Sequence, residues 1–514
     1  MNKKVVFKYY NMSQLKLPVD VEIMIPDNHL VKIVSAAIEK MNIKPLEKKY
    51  KGGGTSSYHP KMMLKVIVYA YSQRIYSSRQ IAKGLRENIH FMWLSGNSKP
   101  DFRTINRFRS SVMKDIIDEI FTSVVELLIE AGLVKLENYF LDGTKIEANA
   151  NKYSFVWKKS IEKNKAKLQE KIKDLIRHID EVNEEENRKY GDKDLEELGE
   201  EGSIDSDRLD RLAQELDEKL SKNPKDKKIK KAVNIIKKDY QPRLKKYEEQ
   251  QEILGERNSY SKTDKDAIFM RMKEDHMKNG QLKPGYNIQV GTEGQFIVGF
   301  SLHQEAGDTG CLIPHLKKLE ENIGQLPENI VTDAGYGSEE NYEYLEEKEL
   351  GTYVKYNMFH QEQKESFKTQ LFRVENLPYD EEKDEFTCPN GKKLQYKETK
   401  PYKTKNGYQT ERRHYECEDC SGCLLKEKCT KAKGNRDIQV SFRLNELKQK
   451  AIENLCSEKG IELRKKRCIE VESVFGHIKN NRWFRRFLLR GIEKVKTEWG
   501  LLSIAHNMKK LAVA

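Results

Sequence analysis

The chain has 514 residues, 37% of them hydrophobic and 34% charged, and its 94 basic and 81 acidic residues leave a net charge of +13. This length predicts several domains. No stretch reaches the ~20 apolar residues that cross a bilayer, and the apolar run near the start is too short for a signal peptide. We therefore expect a cytoplasmic protein without a membrane partner, whose basic excess is compatible with a polyanion but does not establish one.

Residues 27–130 are predicted to be mostly helical. Three helices are expected in it, at 61–71, 77–88 and 101–110. Ser77 or Ser78 is a plausible N-cap for the second helix, and Asp101 for the third. The third helix offers Arg103, Arg107 and Arg109 along its length. A short helix, a turn and a basic helix suit a helix-turn-helix unit that binds DNA, but ordinary helical domains show the same pattern.

Residues 137–142 read as a strand that ends in D-G-T, and the chain then becomes dense in Lys and Glu. Apolar residues recur there at helical spacing in three runs, with a Gly/Asp/Glu-rich gap near 191–206. The runs are Leu168, Ile172, Leu175, Ile179 and Val182; Leu209, Leu212, Leu216 and Leu220; and Ile229, Val233, Ile236, Tyr240, Leu244 and Tyr247. Narrow apolar seams on charged helices are typical of coiled-coil hairpins. We favour a solvated helical arm over a dedicated binding face.

Alternating strand and helix signals follow this arm. The expected elements are a β-hairpin at 286–302, a helix at 309–323, a strand at 329–333, a helix at 338–349 and a strand at 351–356. This order predicts an α/β sheet, and open α/β sheets place their sites at strand ends. His303 and Asp308 follow the hairpin and could line such a site, but we interpret them as turn residues.

Three carboxylates stand out against this layout. Asp142 ends the first strand in Y-F-L-D-G-T, and Asp333 ends a later one in N-I-V-T-D-A-G-Y-G. Glu472 lies in V-E-S-V-F-G-H-I-K-N-N, on a predicted helix. Three convergent carboxylates can hold two divalent metal ions for phosphoryl transfer. Each Asp taken alone is as well explained by a turn after a strand.

The helix of Glu472 is predicted to continue as a basic, aromatic surface. Lys479 lies seven residues on, nearly two α-helical turns, so both side chains should face the same way. The residues that follow suit phosphate contacts and base stacking, namely Arg482, Trp483, Arg485 and Arg486. The alternative is an amphipathic helix with buried aromatic and solvated basic residues.

Five of the eight cysteines lie close together in sequence. Cys417, Cys420, Cys423 and Cys429 have the spacing C-x2-C-x2-C-x5-C, and Cys388 precedes them in T-C-P-N-G-K. In a reducing compartment such a set indicates metal ligands. We prefer a structural Cys₄ zinc site, in which Cys388 joins three of the later four. An iron–sulfur cluster or a reduced, metal-free set remains open. The other three cysteines are expected to be buried thiols.

The ordered set of D-G-T, T-D-A-G-Y-G-S and V-E-S-V-F-G-H-I-K-N-N resembles the three blocks of bacterial insertion-sequence transposases of the DDE type. The third block is similar to that family's signature of Glu, six residues and Lys, here Glu472 and Lys479. Many relatives carry Arg four residues before the Glu. That position is Cys468 here, and Arg467 stands one place earlier.

The resemblance implies an α/β ribonuclease-H-like catalytic core with an all-helical N-terminal domain, a charged helical insertion and a small cysteine-rich module. The expected boundaries are 1–135 for the DNA-binding domain; 136–156, 257–365 and 441–514 for the core; 157–256 for the charged insertion; and 366–440 for the cysteine-rich module.

The implied activity is DNA transposition. Asp142, Asp333 and Glu472 would hold two Mg²⁺ or Mn²⁺ ions that promote cleavage at an element's terminal inverted repeats and joining to target DNA. The implied partner is double-stranded DNA, bound by a homodimer in the nucleoid. The alternatives are a non-catalytic DNA-binding protein derived from such an enzyme, a nuclease without strand transfer, and a plain zinc-stapled scaffold.

Overall fold

The computed structural model describes residues 20–50, 57–190, 204–222, 226–272, 281–404 and 406–513. The basic start of the chain and most of the Gly/Asp/Glu-rich gap near 191–206 lie outside these ranges. The chain divides into two compact units, one of Met1–Ile146 with Asn287–Ala514 and one of Glu147–Tyr286. No helix among the described residues combines the length and the apolar character needed to cross a membrane.

The N-terminal region of the first unit is helical, as predicted. Its helices are α1 (Leu30–Lys40), α2 (Lys44–Glu47), α3 (Pro60–Ser72), α4 (Ser78–Glu87), α5 (Ile89–Leu94), α6 (Phe102–Arg107) and α7 (Ile117–Glu130). Pro60 occupies the first position of α3, where its missing N–H is no loss. The Asp101 side chain accepts a hydrogen bond from the Thr104 N–H and caps α6, as expected. Helix α6 continues as a π-helical turn at Phe108–Val112.

The second unit contains the charged helices. Its elements are the end of β1 (Asn138–Glu147), then β2 (Phe155–Trp157), α8 (Lys158–Tyr190), α9 (Ser206–Lys222), α10 (Lys227–Ile235), α11 (Gln241–Leu254), β3 (Ser259–Ser261) and β4 (Ile268–Arg271). The three predicted seams pack into one shared apolar core, which includes Leu168, Leu212 and Leu244. Burial of one apolar stripe per helix therefore holds this highly charged unit together.

The first unit is built on a mixed β-sheet. Its elements after β4 are β5 (Leu282–Glu293), β6 (Phe296–His303), α12 (Leu312–Ile323), β7 (Asn329–Thr332), α13 (Glu339–Glu347) and β8 (Gly351–Val354). The strand order is β6-β5-β1-β7-β8, with β5 and β6 antiparallel and β1, β7 and β8 parallel. The hairpin turn holds Gly294 and Gln295 at positive φ, as a type I′ turn requires. The α/β prediction is confirmed.

A second sheet follows, which the sequence did not predict. The elements are α14 (Phe359–Glu362), α15 (Glu365–Lys368), β9 (Tyr379–Asp380), β10 (Glu385–Thr387), β11 (Lys393–Lys403), β12 (Gln409–Cys417), α16 (Lys426–Cys429) and β13 (Asp437–Val440). The order is β13-β12-β11-β10-β9, and all pairs are antiparallel. Its long strand β11 is mostly exposed and polar, so it lacks the alternation by which half-buried strands are recognised.

Four helices close the chain: α17 (Phe442–Cys456), α18 (Glu458–Arg467), α19 (Ser473–Gly476) and α20 (Ile492–Leu511). In the last of these helices, every residue from Thr497 to Met508 is buried. Helix α20 packs on α3, α7 and β6, so it joins the N-terminal helices to the sheet.

Candidate active site

Asp142 and Asp333 occupy the same register on two neighbouring strands. In the parallel pair of β1 and β7, Phe140 lies opposite Val331. Continuing that register by two residues places Asp142 opposite Asp333. Adjacent strands lie ~4.8 Å apart, so the two carboxylates start from neighbouring backbone positions. The expectation that each Asp ends its strand is wrong for Asp142, because β1 continues to Glu147, whereas β7 ends at Thr332, directly before Asp333.

The C-terminal helices cover the sheet face to which these carboxylates belong. Phe140, Val331 and Tyr353 form a row across β1, β7 and β8. That row packs against Leu455, Leu463 and Val471 of the C-terminal helical segments. Side chains two residues apart on a strand share a face. Asp142 and Asp333 therefore project toward the segment that carries Glu472.

Arg467 joins two of the three predicted carboxylates directly. Its Nη1 lies 3.3 Å from Asp142 Oδ2, and its Nη2 lies 3.2 Å from Glu472 Oε1. Asp142 is only 6% exposed, whereas the Glu472 side chain is 52% exposed. Asp142 also accepts a hydrogen bond from the Gly143 N–H at 2.7 Å. The positive charge of the Arg467 guanidinium thus compensates the negative charges of both carboxylates, one buried and one exposed.

The backbone explains why Arg467 reaches Glu472 from five residues away. Residues Cys468–Glu472 form a π-helical turn, whose hydrogen bonds run from i to i+5 rather than to i+4. One extra residue per turn brings position i−5 to the face that i−4 occupies in an α-helix. The Arg that seemed one place too early is therefore in contact with Glu472, while Cys468 is exposed to solvent.

Asp333 is fixed by its own loop. Its Oδ1 accepts a hydrogen bond from the Gly335 N–H at 2.8 Å. Tyr336, in the same loop, is buried, and its hydroxyl donates to Gln289 Oε1 on β5. Burial raises the pKa of Tyr336 well above its usual value, and the charges of Asp308, Asp142 and Asp333 raise it further. Three carboxylates therefore act electrostatically on one buried hydroxyl.

Sequence reasoning missed two groups at this edge. Asp308, expected to be a turn residue, accepts hydrogen bonds from Asn287 Nδ2 and Gln289 Nε2 on β5. Lys355 follows β8, where the register of β7 and β8 places it opposite Asp333. Burial lowers the pKa of Lys355, and the nearby Arg467 and Arg464 lower it further. The sequence feature that could have identified Lys355 is its position directly after an apolar strand, in Y-V-K-Y.

Three arginine or lysine residues of the predicted basic surfaces are buried, and two of them, Lys479 and Arg482, were predicted to contact nucleic acid. Lys479 is only 8% exposed, because π-helical turns on both sides of α19 break the expected two-turn spacing from Glu472. Arg482 is 2% exposed and donates to the Ala505 carbonyl at 3.2 Å, so it is a packing residue. Arg109 is also buried, and it donates to the Tyr71 hydroxyl and the Tyr76 carbonyl. None of the three presents an open cationic surface.

The predicted basic, aromatic helix ends at Asn481, and an irregular loop follows it. Phe484 and Phe487 are buried and anchor the loop. Trp483 is 70% exposed, has a positive φ of 55°, and carries the Arg485 guanidinium 5.1 Å from its ring centroid. Exposed residues therefore alternate with buried ones, in the pattern of an extended segment rather than a helix.

A second basic surface lies on the N-terminal helices. Arg79, Arg103 and Arg107 are exposed and line one open groove together with Ser77 and Ser78. Ser77 occupies the N-cap position of α4 but makes no capping hydrogen bond through its side chain. The Arg79 guanidinium lies 5.1 Å from the centroid of the Phe102 ring, which links α4 to α6. This surface has the positive charge that phosphate binding requires.

Two family models match the chain. Residues 387–512 match the model described as Transposase DDE domain, and residues 19–111 match the one described as Transposase domain (DUF772). Both matches support the resemblance to insertion-sequence transposases of the DDE type. No curated protein and no solved structure matches it. The DDE match includes Glu472 but begins after Asp142 and Asp333.

Five of the eight cysteines surround one small cavity. Cys388, Cys417, Cys420, Cys423 and Cys429 all line one cavity of about 20 Å³. The Arg436 backbone N–H donates to Cys420 Sγ at 3.4 Å, and its guanidinium donates to Cys429 Sγ at 3.1 Å. All eight cysteines are free thiols. Cys311 is buried as expected, but Cys456 and Cys468 are exposed, contrary to expectation.

The described part of the chain holds no preformed cluster of metal ligands. Within the part of the chain that the structure describes, no three His, Cys, Asp or Glu side chains form a group that could hold a metal ion. The carboxylates instead meet through Arg467, and the cysteines surround a cavity. The donor types still suit different metals, since carboxylate oxygens suit Mg²⁺ and thiolates suit Zn²⁺.

Proposed function

We propose that this transposase binds the terminal inverted repeats of an insertion sequence and catalyses metal-dependent strand cleavage and strand transfer. The observation that carries the proposal is the shared register of Asp142 and Asp333, with Arg467 joining Asp142 to Glu472. A mixed sheet with one carboxylate within β1 and another directly after the neighbouring β7 supports a ribonuclease-H-like core. The working form is a homodimer on double-stranded DNA in the nucleoid, because two element ends must be paired.

The three carboxylates are the proposed ligands of two Mg²⁺ or Mn²⁺ ions. Their oxygen donors fit these hard cations. Once bound, the ions would activate water or a DNA 3′-OH and stabilise the leaving 3′-oxygen. The rigid strand positions of Asp142 and Asp333 keep two of the ligands in place, while Glu472 approaches from a helical segment. Arg467 holds Asp142 and Glu472 in mutual orientation.

Cationic groups around the site would position the DNA. Lys355 lies next to Asp333 in register, where it can contact a phosphate of the strand being cut. Trp483, Arg485 and Arg486 are exposed on the loop after Glu472 and suit stacking and backbone contacts. Arg103 and Arg107 provide a separate surface on the N-terminal helices. Lys479 and Arg482 are left out of this DNA surface because they are buried.

A cleavage assay on short duplexes that carry the element's ends tests the proposal. With Mg²⁺ or Mn²⁺, the transposase is expected to nick its own inverted repeats and join them to a second DNA. EDTA should abolish both products but leave binding intact. Binding without cleavage under any divalent-metal condition would instead identify a non-catalytic DNA-binding protein. Cleavage without joining would identify a nuclease.

We also propose that the cysteine cavity holds one structural zinc ion, with Cys388 and three of Cys417, Cys420, Cys423 and Cys429 as ligands. The convergence of all five thiols on one cavity supports this. The Arg436 contacts to two of the sulfurs are of the kind that stabilise thiolates.

Metal analysis of the full chain, purified under reducing conditions, tests the zinc site. About one zinc per chain is expected, because a structural zinc site uses four ligands and is closed. The double substitution Cys388→Ser and Cys417→Ser should remove it, whereas the exposed Cys456→Ser should not. Absence of stoichiometric zinc contradicts the proposal, and stoichiometric iron would point to an iron–sulfur cluster.

A further inference from the structure

Asp308 lies against the part of β1 that follows Asp142 and beside the loop that carries Asp333. A Cβ added to Gly143 would collide with Asp308 Oδ1, so this carboxylate lies directly against the backbone that follows Asp142. A Cβ on Gly335 would lie 3.8 Å from Asp308 Oδ2 and 3.0 Å from Asp333 Oδ1. The small residues in D-G-T and D-A-G-Y-G thus make room for a fourth carboxylate.

A buried hydrogen-bond chain sets the orientation of Asp308. Asn287 and Gln289 are fully buried on β5 and donate to Asp308 Oδ1 at 2.8 and 2.9 Å. The Tyr336 hydroxyl donates to Gln289 Oε1, which directs the amide NH₂ of Gln289 toward Asp308. The tyrosine of the Asp333 loop therefore locks the amide that holds Asp308.

One oxygen of this carboxylate remains open. Both hydrogen bonds go to Oδ1, and no described residue donates to Oδ2. Asp308 is half-buried, and its Oδ2 lies on the side of the Asp333 loop, because a Cβ on Gly335 would be 3.8 Å from it. A carboxylate with one oxygen held by two amides and the other open is oriented as a metal ligand is by its supporting hydrogen bonds.

We infer that Asp308 is a fourth carboxylate ligand of the divalent-metal site, oriented by Asn287, Gln289 and Tyr336. The inference rests on the proposed function, since it assigns a further ligand to that same site. Asp308 Oδ2 would complete the ligand set beside Asp333, while Oδ1 stays bound to the two amides. The chain would then supply three ligands from the sheet edge and one from the C-terminal helical segment.

Mn²⁺ binding to the full chain without DNA tests the inference, with free Mn²⁺ measured by electron paramagnetic resonance. Asp308→Asn keeps the size and removes the charge, and it is expected to weaken the tighter Mn²⁺ site about 10–100-fold. Tyr336→Phe releases Gln289 and should weaken binding less. Glu321→Gln, an exposed carboxylate on α12, is the matched control and should bind as the parent does.

The outcomes separate this inference from the proposed function. If the parent chain binds no Mn²⁺, the metal site of the proposed function fails and this inference fails with it. If the parent binds Mn²⁺ and Asp308→Asn binds it equally, only the role of Asp308 is overturned. A folded state is checked by calorimetry, and Asp308→Ser replaces Asp308→Asn if the latter does not fold.

Discussion

Asp333→Asn is expected to reduce metal-dependent strand cleavage by about 10³-fold, because removing a ligand charge forfeits about 4 kcal/mol of transition-state stabilisation. Asp142→Asn and Glu472→Gln should have effects of the same order. Binding of the inverted repeats should persist, since the proposed binding surfaces lie on Arg103, Arg107 and the loop of Trp483. Initial cleavage rates and gel-shift binding on the same duplexes measure the two properties separately.

Glu462→Gln is the matched control for this series. Glu462 lies on α18, the helix that leads to Arg467, and its side chain is exposed and paired with Lys466 at 2.7 Å. A surface ion pair contributes about 0–1 kcal/mol, so cleavage should be unchanged. Parent-level cleavage by any of the three carboxylate variants would refute the assignment of the site.

Glu498→Ala is expected to lower the free energy of unfolding of the first unit by about 2–4 kcal/mol, because it removes a buried carboxylate that accepts two backbone hydrogen bonds. Glu498 is fully buried in α20, and its Oε2 accepts the N–H groups of Leu488 and Leu489 at 3.0 Å each. Burial raises its pKa, and the charge of Arg109 opposes that shift. The substitution leaves both of these N–H groups without their carboxylate acceptor.

Calorimetric unfolding checks this prediction, with Glu493→Ala as control. Glu493 is one turn earlier in α20, half exposed and paired with Lys496 at 3.2 Å, so about 0–1 kcal/mol is expected from its loss. The Glu498 variant should also bind DNA more weakly, because Glu498 holds the end of the loop that presents Trp483 and Arg485. An unfolding temperature equal to that of the control would show that the carboxylate does not anchor the loop.

The N-terminal helices and the strands of the α/β sheet were predictable because their signals are local. Capping by Asp101, apolar runs of strand length before Asp142 and Asp333, and helical spacing of apolar residues in the charged arm each depend on a few neighbouring residues. The structure confirms all three. The sheet after residue 378 escaped prediction because its strands are short, or polar and exposed, so no apolar alternation marks them.

Errors arose where α-helical periodicity was assumed. Lys479 was placed beside Glu472 by counting 3.6 residues per turn, but π-helical turns before and after α19 change the count, and Lys479 is buried. The π-helical turn also explains why Arg467, five residues before Glu472 rather than four, still contacts it, because the turn brings both side chains to one face. The choice between i+4 and i+5 bonding depends on packing against the sheet through residues such as Val471, which sequence periodicity does not show.

By itself, the sequence determined the residue types of the site, the order of its elements and the resemblance that the family matches confirm. Only the tertiary structure decided which groups meet. The pairing of β1 with β7 puts Asp142 and Asp333 in one register, and residues more than a hundred positions away bring in Arg467 and Glu472. Asp308 and Lys355 join them for the same reason. Strand register and helix packing are set by burial between segments that are distant in sequence, so a local sequence pattern does not predict them.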